Sequence, residues 1–406
     1  MSGPLSGIKV VEMSTYVAGP VTARLLADMG AEVIKVEAPI GDHWRRTGIS
    51  YVPSRFEEDE NPVFDIYNTG KKLVSLNLKT PEGKEAFLKL MEDADVFVTN
   101  TRPAGLKRLG VSYEDLKDRF PKLIYAMVLG FGEEGPDAAM PAFDTTAFWA
   151  RSGFFRDMSV KTENYYPVAQ PSSVGDTATA YLLVAEICAA LFNRTKTGKG
   201  DFVSSTLYRN GIFCMGTMIM IAQPPFGNVY PKDRVEWGIP SGSYECADGE
   251  WLYLNIGTKP YEAHYEFIGR MDLLKEPRFI DGPTRWKNRQ ELYEIFRDTI
   301  LTKTSDEWLE IGKSLDLPLV RMNHFKDVSS DPQAWANGFL EHVTFRNGHV
   351  DIMPTSPIEM GSANPPATKP AEGVGADTEK VLASLGYSKE QIDAMIAAGA
   401  AITPKK

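Results

Sequence analysis

Cysteine is scarce in this 406-residue chain: Cys188, Cys214 and Cys246 are its three cysteines, odd in number and far apart. That excludes a disulfide framework and gives no cysteine-based metal pattern. Histidine is equally thin. The five histidines include no HxxxH or HExxH spacing, so no zinc site is expected. Positive charge is not in excess. A formal net charge of −10 gives no reason to expect nucleic acid or an anionic membrane as a partner. Long apolar runs are missing too. The most apolar stretches, 181–192 and 211–222, fall short of the roughly 18 residues of a membrane span, and Glu186 interrupts the first. The opening MSGPLSGIKVVEM has no basic region ahead of an apolar core, so no signal peptide is expected. A reducing, cytoplasmic setting is the expectation.

What remains is an ordinary globular composition, 43% hydrophobic and 24% charged, in a chain long enough for two domains. Residues 8–42 are the most informative segment. They read as a strand (8–12), a Gly19-Pro20 turn into a helix ending near Met29, a Gly30 stop, and a second strand (32–37). Proline suits a first helical turn and glycine the left-handed position beyond a helix end. This is a βαβ unit whose helix N-terminus is available to an anion or cofactor. Strands at 73–78, 96–99 and 123–129 follow, with a helix opened by Thr80-Pro81 and another at 113–119, around an irregular stretch at 39–62. Strands alternating with helices predict a parallel sheet covered on both faces.

A long helix is expected to start after Asp176 and run to about Arg194, then a strand at 201–207 and a buried, Met-rich helix at 211–222 that packs the core or shapes an acyl pocket. Past Pro224-Pro225 the chain turns richer in aromatics, turns and charge. A hairpin (243–246, 251–257) and helices at 260–270, 290–301 and 305–315 predict a second, smaller α+β domain. The division is therefore 1–223, 224–325 and a C-terminal segment, 326–406, that carries helices at 378–385 and 388–397.

Several clusters could carry chemistry. Asp176, in Val174-Gly175-Asp176-Thr177-Ala178, has two readings: a helix N-cap, or a partly desolvated nucleophile beside N–H groups, with glycine admitting a substrate to the backbone. Residues alone leave both open. Asp144 and Arg151 read as an ion pair or as a contact for a substrate carboxylate. Gly130-Phe131-Gly132-Glu133-Glu134-Gly135 matches GxGxxG, but Pro136-Asp137 follows where a helix should, which favours a loop of glycine turns over a dinucleotide site.

The run from Asp28-x-Gly30-Ala31 to Val36-Glu37, with Gly41-Asp42, resembles class III coenzyme A transferases. So do Asn68 with Gly70-Lys71, LNLKTPEG at 76–83, Ala94-Asp95-Val96 with Asn100, the 130–136 glycines, the Val174-Gly175-Asp176 turn with Thr197-Gly198-Lys199-Gly200, and Gly386-Tyr387. The likeness spans nearly the whole chain and is densest over 5–207. It implies an α/β fold with a large Rossmann-like parallel-sheet domain, an interlocked homodimer, and Asp176 at the position of the family's aspartate nucleophile. CoA thioester enters as a substrate, with no cofactor permanently bound. Tyr16, Val17 and Ala18 match positions that meet the pantetheine or thioester end. Leu76, Lys79, Asn100 and Arg108 match adenosine- and phosphate-contacting positions, with Arg45 or Arg46 a further candidate.

The phrase at 143–151 is similar to the subgroup that handles 2-hydroxy acids in amino-acid fermentation. The implied activity is CoA exchange between an acyl-CoA and a free acid, foremost an aryl-lactate or 2-hydroxyisocaproate; carnitine, oxalate or formate, and bile acids are alternatives. An α-methylacyl-CoA racemase is the other reading, opposed by Phe143 where racemases carry histidine. Two departures concern the formyl-CoA enzyme, whose Gln and Lys positions hold Val17 and Pro141, and whose shielding glycine loop has no counterpart near 237–243.

Overall fold

The computed structural model describes residues 3–47, 61–158, 173–224, 226–227, 233–236, 238–361 and 365–404. Most of the expected irregular stretch at 39–62 lies outside the described residues, as do Pro225 and Trp237. The chain divides into two units, residues 1–220 with 332–406 and residues 221–331.

Six parallel strands make the larger unit's sheet: β1 (Lys9–Met13), β2 (Glu32–Glu37), β3 (Lys72–Leu76), β4 (Val96–Thr99), β5 (Ile124–Leu129) and β6 (Asp201–Thr206). They lie in the order 3-2-1-4-5-6, with the C-terminal strand Ala401–Ile402 added antiparallel beside β3. β4 and β5 are buried along their whole length, as expected for parallel strands covered on both faces. One core packs helices Ala18–Asp28 and Val174–Thr197 on one side of the sheet; the other packs Phe87, Leu90, Phe97, Leu106, Tyr125 and the C-terminal helices. This is the doubly wound arrangement the alternation of elements predicts. Its strand order reverses between β1 and β4, which opens a crevice at the strands' C-terminal ends.

Local signals hold at many element ends. The Thr80 hydroxyl accepts from Gly83 N–H at 3.1 Å to cap helix Pro81–Glu92, and Gly30 takes φ +98° beyond helix Ala18–Asp28. Helix Val174–Thr197 is long and apolar enough to cross a membrane by length and composition, but Ala180, Leu183, Val184, Ile187 and Leu191 along it are buried in the first core. The Met-rich stretch departs from expectation. It forms two short helices, Leu207–Cys214 and Gly216–Ile221, whose apolar side chains are largely exposed, Phe213 by 86%. A hydrophobic run records a need for burial, not whether this chain's own core meets it.

The smaller unit has an antiparallel sheet, Gly242–Glu245, Trp251–Leu254 and Leu319–Arg321, over helices that include Arg289–Ile300 and Ser305–Ser314. Its core, around Tyr244, Phe267, Phe279, Phe296 and Trp308, is separate from the other two.

Candidate active site

A cavity of about 460 Å³ lies at the C-terminal ends of β1, β2 and β3. Met13, Ser14 and Thr15 line it beside the loop 36–43, Leu76 to Lys79, Thr101 and Leu109. The turn after β1 is tied to the turn after β4: Thr15 N–H donates to Asn100 Oδ1 at 3.0 Å, and Asn100 Nδ2 donates to Thr15 O at 2.6 Å. Asn100 thus spends both ends of its amide on pinning the two loops of the switch point together.

Tyr16 follows in the left-handed region, φ +66°, unusual for a bulky residue. Its N–H donates to Asp42 Oδ1 at 3.1 Å, and below it runs a polar network with no solvent access. Lys35 Nζ lies 2.8 Å from Glu12 Oε1 and 3.0 Å from Asp42 Oδ2, and donates to Ser14 O at 2.9 Å. Lys71 Nζ lies 2.7 Å from Glu12 Oε2 and donates to Pro20 O at 2.8 Å. Burial opposes every charge here. Lys35 and Lys71 more than offset it for Glu12, which is held well below the usual carboxylate range. Glu12, Asp42 and Glu37 likewise hold Lys35 above the lysine range. The network explains the wording Val33-Ile34-Lys35-Val36-Glu37 and Gly41-Asp42: these charges brace a strained turn.

Asp176 lies at the third position of helix Val174–Thr197, which starts at Val174 behind Ser173. Its carboxylate does not cap that helix, and no described residue donates a hydrogen bond to it. The capping reading falls to Asp144 instead. Asp144 Oδ1 accepts from Asp176 N–H at 2.9 Å, and Asp144 Oδ2 accepts from Ser173 N–H at 3.2 Å and Trp149 Nε1 at 3.0 Å. Burial, reinforced by the Asp144 charge, pushes the Asp176 carboxyl up to about 7. Gly175 serves close packing and not, as read from its sequence context, the approach of a substrate: a Cβ there would lie 2.3 Å from Phe148 Cγ and 2.4 Å from Asp144 Oδ1. Its hydrogen is what lets the helix start close over Asp144. The Phe143 and Tyr16 rings meet edge to face with centroids 5.6 Å apart, so the β1 turn and the Asp144–Asp176 pair are neighbours.

A partly buried carboxylate with no donor among the described residues, near a crevice at a switch point, is a site for covalent or acid–base work. The comparison with known proteins narrows it. The model of CoA-transferase family III matches residues 5–378. The chain belongs to CoA-transferase family III. It is 37% identical over 392 residues to the (R)-2-hydroxy-4-methylpentanoate CoA-transferase of Clostridioides difficile, covering 96% of this chain and 97% of that one. It is 34% identical over 398 residues to the cinnamoyl-CoA:phenyllactate CoA-transferase of Clostridium sporogenes, covering 96% and 95%. The crystal structure of an aspartate-to-alanine mutant of Rv3272 from Mycobacterium tuberculosis superposes with a TM-score of 0.81 at 27% identity, covering 94% of this chain and 99% of that one. This CoA-transferase therefore acts on CoA thioesters.

The residues read from the sequence scatter around this centre. Leu76 and Lys79 line the cavity. Val17 and Ala18 are buried in the core, so only their backbone can meet a ligand. Arg108 is exposed on helix Pro103–Leu109, next to the lining residue Leu109. Arg46 is exposed, whereas both sides of the Arg45 guanidinium fork are taken: Nε and Nη2 lie 2.8 and 3.0 Å from the Glu37 carboxylate. Arg151 pairs with Asp137, not with Asp144. The glycines at 130–135 form a loop: Gly132 and Gly135 have positive φ, and no helix starts there. Among the described residues, no cluster of three His, Cys, Asp or Glu side chains could hold a metal. Sequence reasoning missed the work of Asp144, Asp42 and Lys35, whose only signal was their place inside the family's phrases.

Proposed function

We propose that this CoA-transferase exchanges CoA between an acyl-CoA and a free 2-hydroxy acid of the aryl-lactate or 2-hydroxyisocaproate type, with Asp176 as its nucleophile. The observation that carries the reading is the Asp176 carboxylate: partly buried beside the β1 turn, with no hydrogen-bond donor among the described residues, and destabilised as an anion by burial and Asp144. An anion in that state reacts readily with a thioester carbonyl. The two relatives named above, at 37% and 34% identity, support the substrate class.

The chemistry balances without metal or redox partner. An Asp176 oxygen adds to the donor's carbonyl carbon; the C–S bond breaks, leaving a mixed anhydride and CoA thiolate. The thiolate attacks the aspartyl carbonyl, the donor leaves as its carboxylate, and an aspartyl-CoA thioester remains. The acceptor carboxylate attacks that thioester, expelling the thiolate and forming a second anhydride. Thiolate attack on the acceptor's acyl carbon then returns Asp176 as a carboxylate. CoA occupies the cavity lined by Leu76 and Lys79, near the Tyr16-Val17-Ala18 turn, with Asn100 fixing that turn and Arg108 near the rim.

The protein acts in the cytoplasm as a homodimer, to which its three free thiols and exposed apolar helices are suited. Phe143 stands where an imidazole base would be needed for racemisation, and no α-proton exchange is expected in deuterium oxide. The test is a panel of acyl-CoA donors with 2-hydroxy acids, read by mass spectrometry, alongside Asp176→Asn. The variant should lose at least about 10³-fold in exchange, and borohydride quenching during turnover should modify residue 176 in the wild type. Full activity of Asp176→Asn would overturn the mechanism.

A further inference from the structure

We propose that Asp144 is a positioning residue for Asp176: it occupies the start of helix Val174–Thr197 as an internal anion, denying Asp176 the helix N–H donors and standing beside it as a like charge.

The geometry carries this. The N-terminal N–H groups of a helix are its anion-stabilising groups, and a carboxylate in the first turn usually gains from them. Here those of Ser173 and Asp176 point at the Asp144 oxygens, at 3.2 and 2.9 Å, and the Trp149 indole adds a third donor at 3.0 Å. Gly175, which admits no Cβ, lets the helix start press this close to Asp144. Asp176 is left with its backbone N–H engaged and its side chain unassisted by any described residue. Two carboxylates that share one helix start and bear on each other electrostatically do not ionise independently. Burial raises the Asp144 carboxyl too, but its donors favour its anion while none described favours that of Asp176, so Asp144 ionises first and its charge holds the proton on Asp176.

No other described charge intervenes from the elements packed against this helix. Arg24 is paired with Asp28 on helix Ala18–Asp28, Arg151 with Asp137, and Arg209 bears on Glu186, two to three turns further along. The Asp176 anion is therefore kept reactive by an arrangement, not by burial alone. The consequence is an acid limb: exchange rises with pH as Asp176 ionises, through about 7.

This inference rests on Asp176 being the nucleophile only for its kinetic readout, so a second readout is independent of catalysis. Carbodiimide reacts with protonated carboxyls. The pH dependence of its labelling at residue 176, measured by peptide mass spectrometry on the full-length protein, reports that group's ionisation directly. In Asp144→Asn, which keeps the shape and removes the charge, the labelling midpoint and the acid limb of kcat/KM should both move down by about one pH unit. The plateau of kcat should fall several-fold, as a less basic carboxylate attacks more slowly. Trp149→Phe, which removes a single donor from Asp144 and leaves the helix untouched, should shift the midpoint the same way by less. This second variant keeps the test open if Asp144→Asn does not fold.

An unmoved or raised midpoint in a folded variant would overturn the role of Asp144. A midpoint that falls while Asp176→Asn retains full exchange would uphold Asp144 and refute the nucleophile assignment instead.

Discussion

Two cations that the family resemblance offers as CoA contacts, Lys79 and Arg45, stand in opposite surroundings. The first is exposed and lines the cavity; the second sits over the Phe64 ring, 3.9 Å from its centroid, with its fork on Glu37 and Nη2 also donating to Glu372 O at 3.1 Å. Charge alone does not distinguish them, and their substitutions should separate cleanly. Lys79→Ala should raise KM for the CoA thioester by about 3- to 10-fold with kcat nearly unchanged, because an exposed cation contributes about a kcal/mol to phosphate binding. Arg45→Ala should strip the buried Glu37 carboxylate of its guanidinium partner, leaving it the Asp42 N–H and the field of Lys35, and lower unfolding stability by roughly 3 kcal/mol. Steady-state kinetics and urea unfolding of both variants measure the contrast. The sequence singled out Asp176 through its phrase and Asp144 only as a partner for Arg151 or a substrate; its capping role was not legible, because nothing local tells a residue 32 positions earlier that it will cap a helix.

At the scale of elements, helix Val174–Thr197 shows where local rules succeed and where they stop. Its apolar pattern, its Gly198 stop with φ +69° and its length all follow from side-chain spacing and glycine's freedom. Its start does not. Asp is a preferred N-cap, but Ser173 takes that place and the capping acceptor comes from a distant segment, so tertiary packing overrides the propensity. Gly175→Ala tests this start. A methyl group would meet Phe148 and Asp144 at well under contact distance, so the variant should unfold about 2–3 kcal/mol more easily and lose exchange activity. Thermal denaturation with parallel assays reads both. If stability is unchanged, the close packing over Asp144 is not as described.

On the scale of the whole molecule, the exposed apolar side chains of the larger unit need an explanation. Tyr181, Leu182, Phe192, Ile212, Phe213 and Met220 are all substantially exposed, Phe192 by 63%. So many exposed large apolar side chains on three helices point to association. A homodimer should be seen by light scattering at micromolar concentration, and Phe213→Asp with Phe192→Asp should shift it toward monomer; a monomeric wild type would refute the assembly.

Period and punctuation in the sequence determined the alternation of strands and helices, the βαβ opening and the family phrases, because those depend on neighbours within a few residues. Only the tertiary structure decided the 3-2-1-4-5-6 order, the return of residues 401–402 to the edge of β3, the burial of Lys35 and Lys71 around Glu12, and the pairing of Asp144 with the start of a distant helix. Each joins groups far apart in the chain, and their energies depend on desolvation and on distances that the fold alone sets.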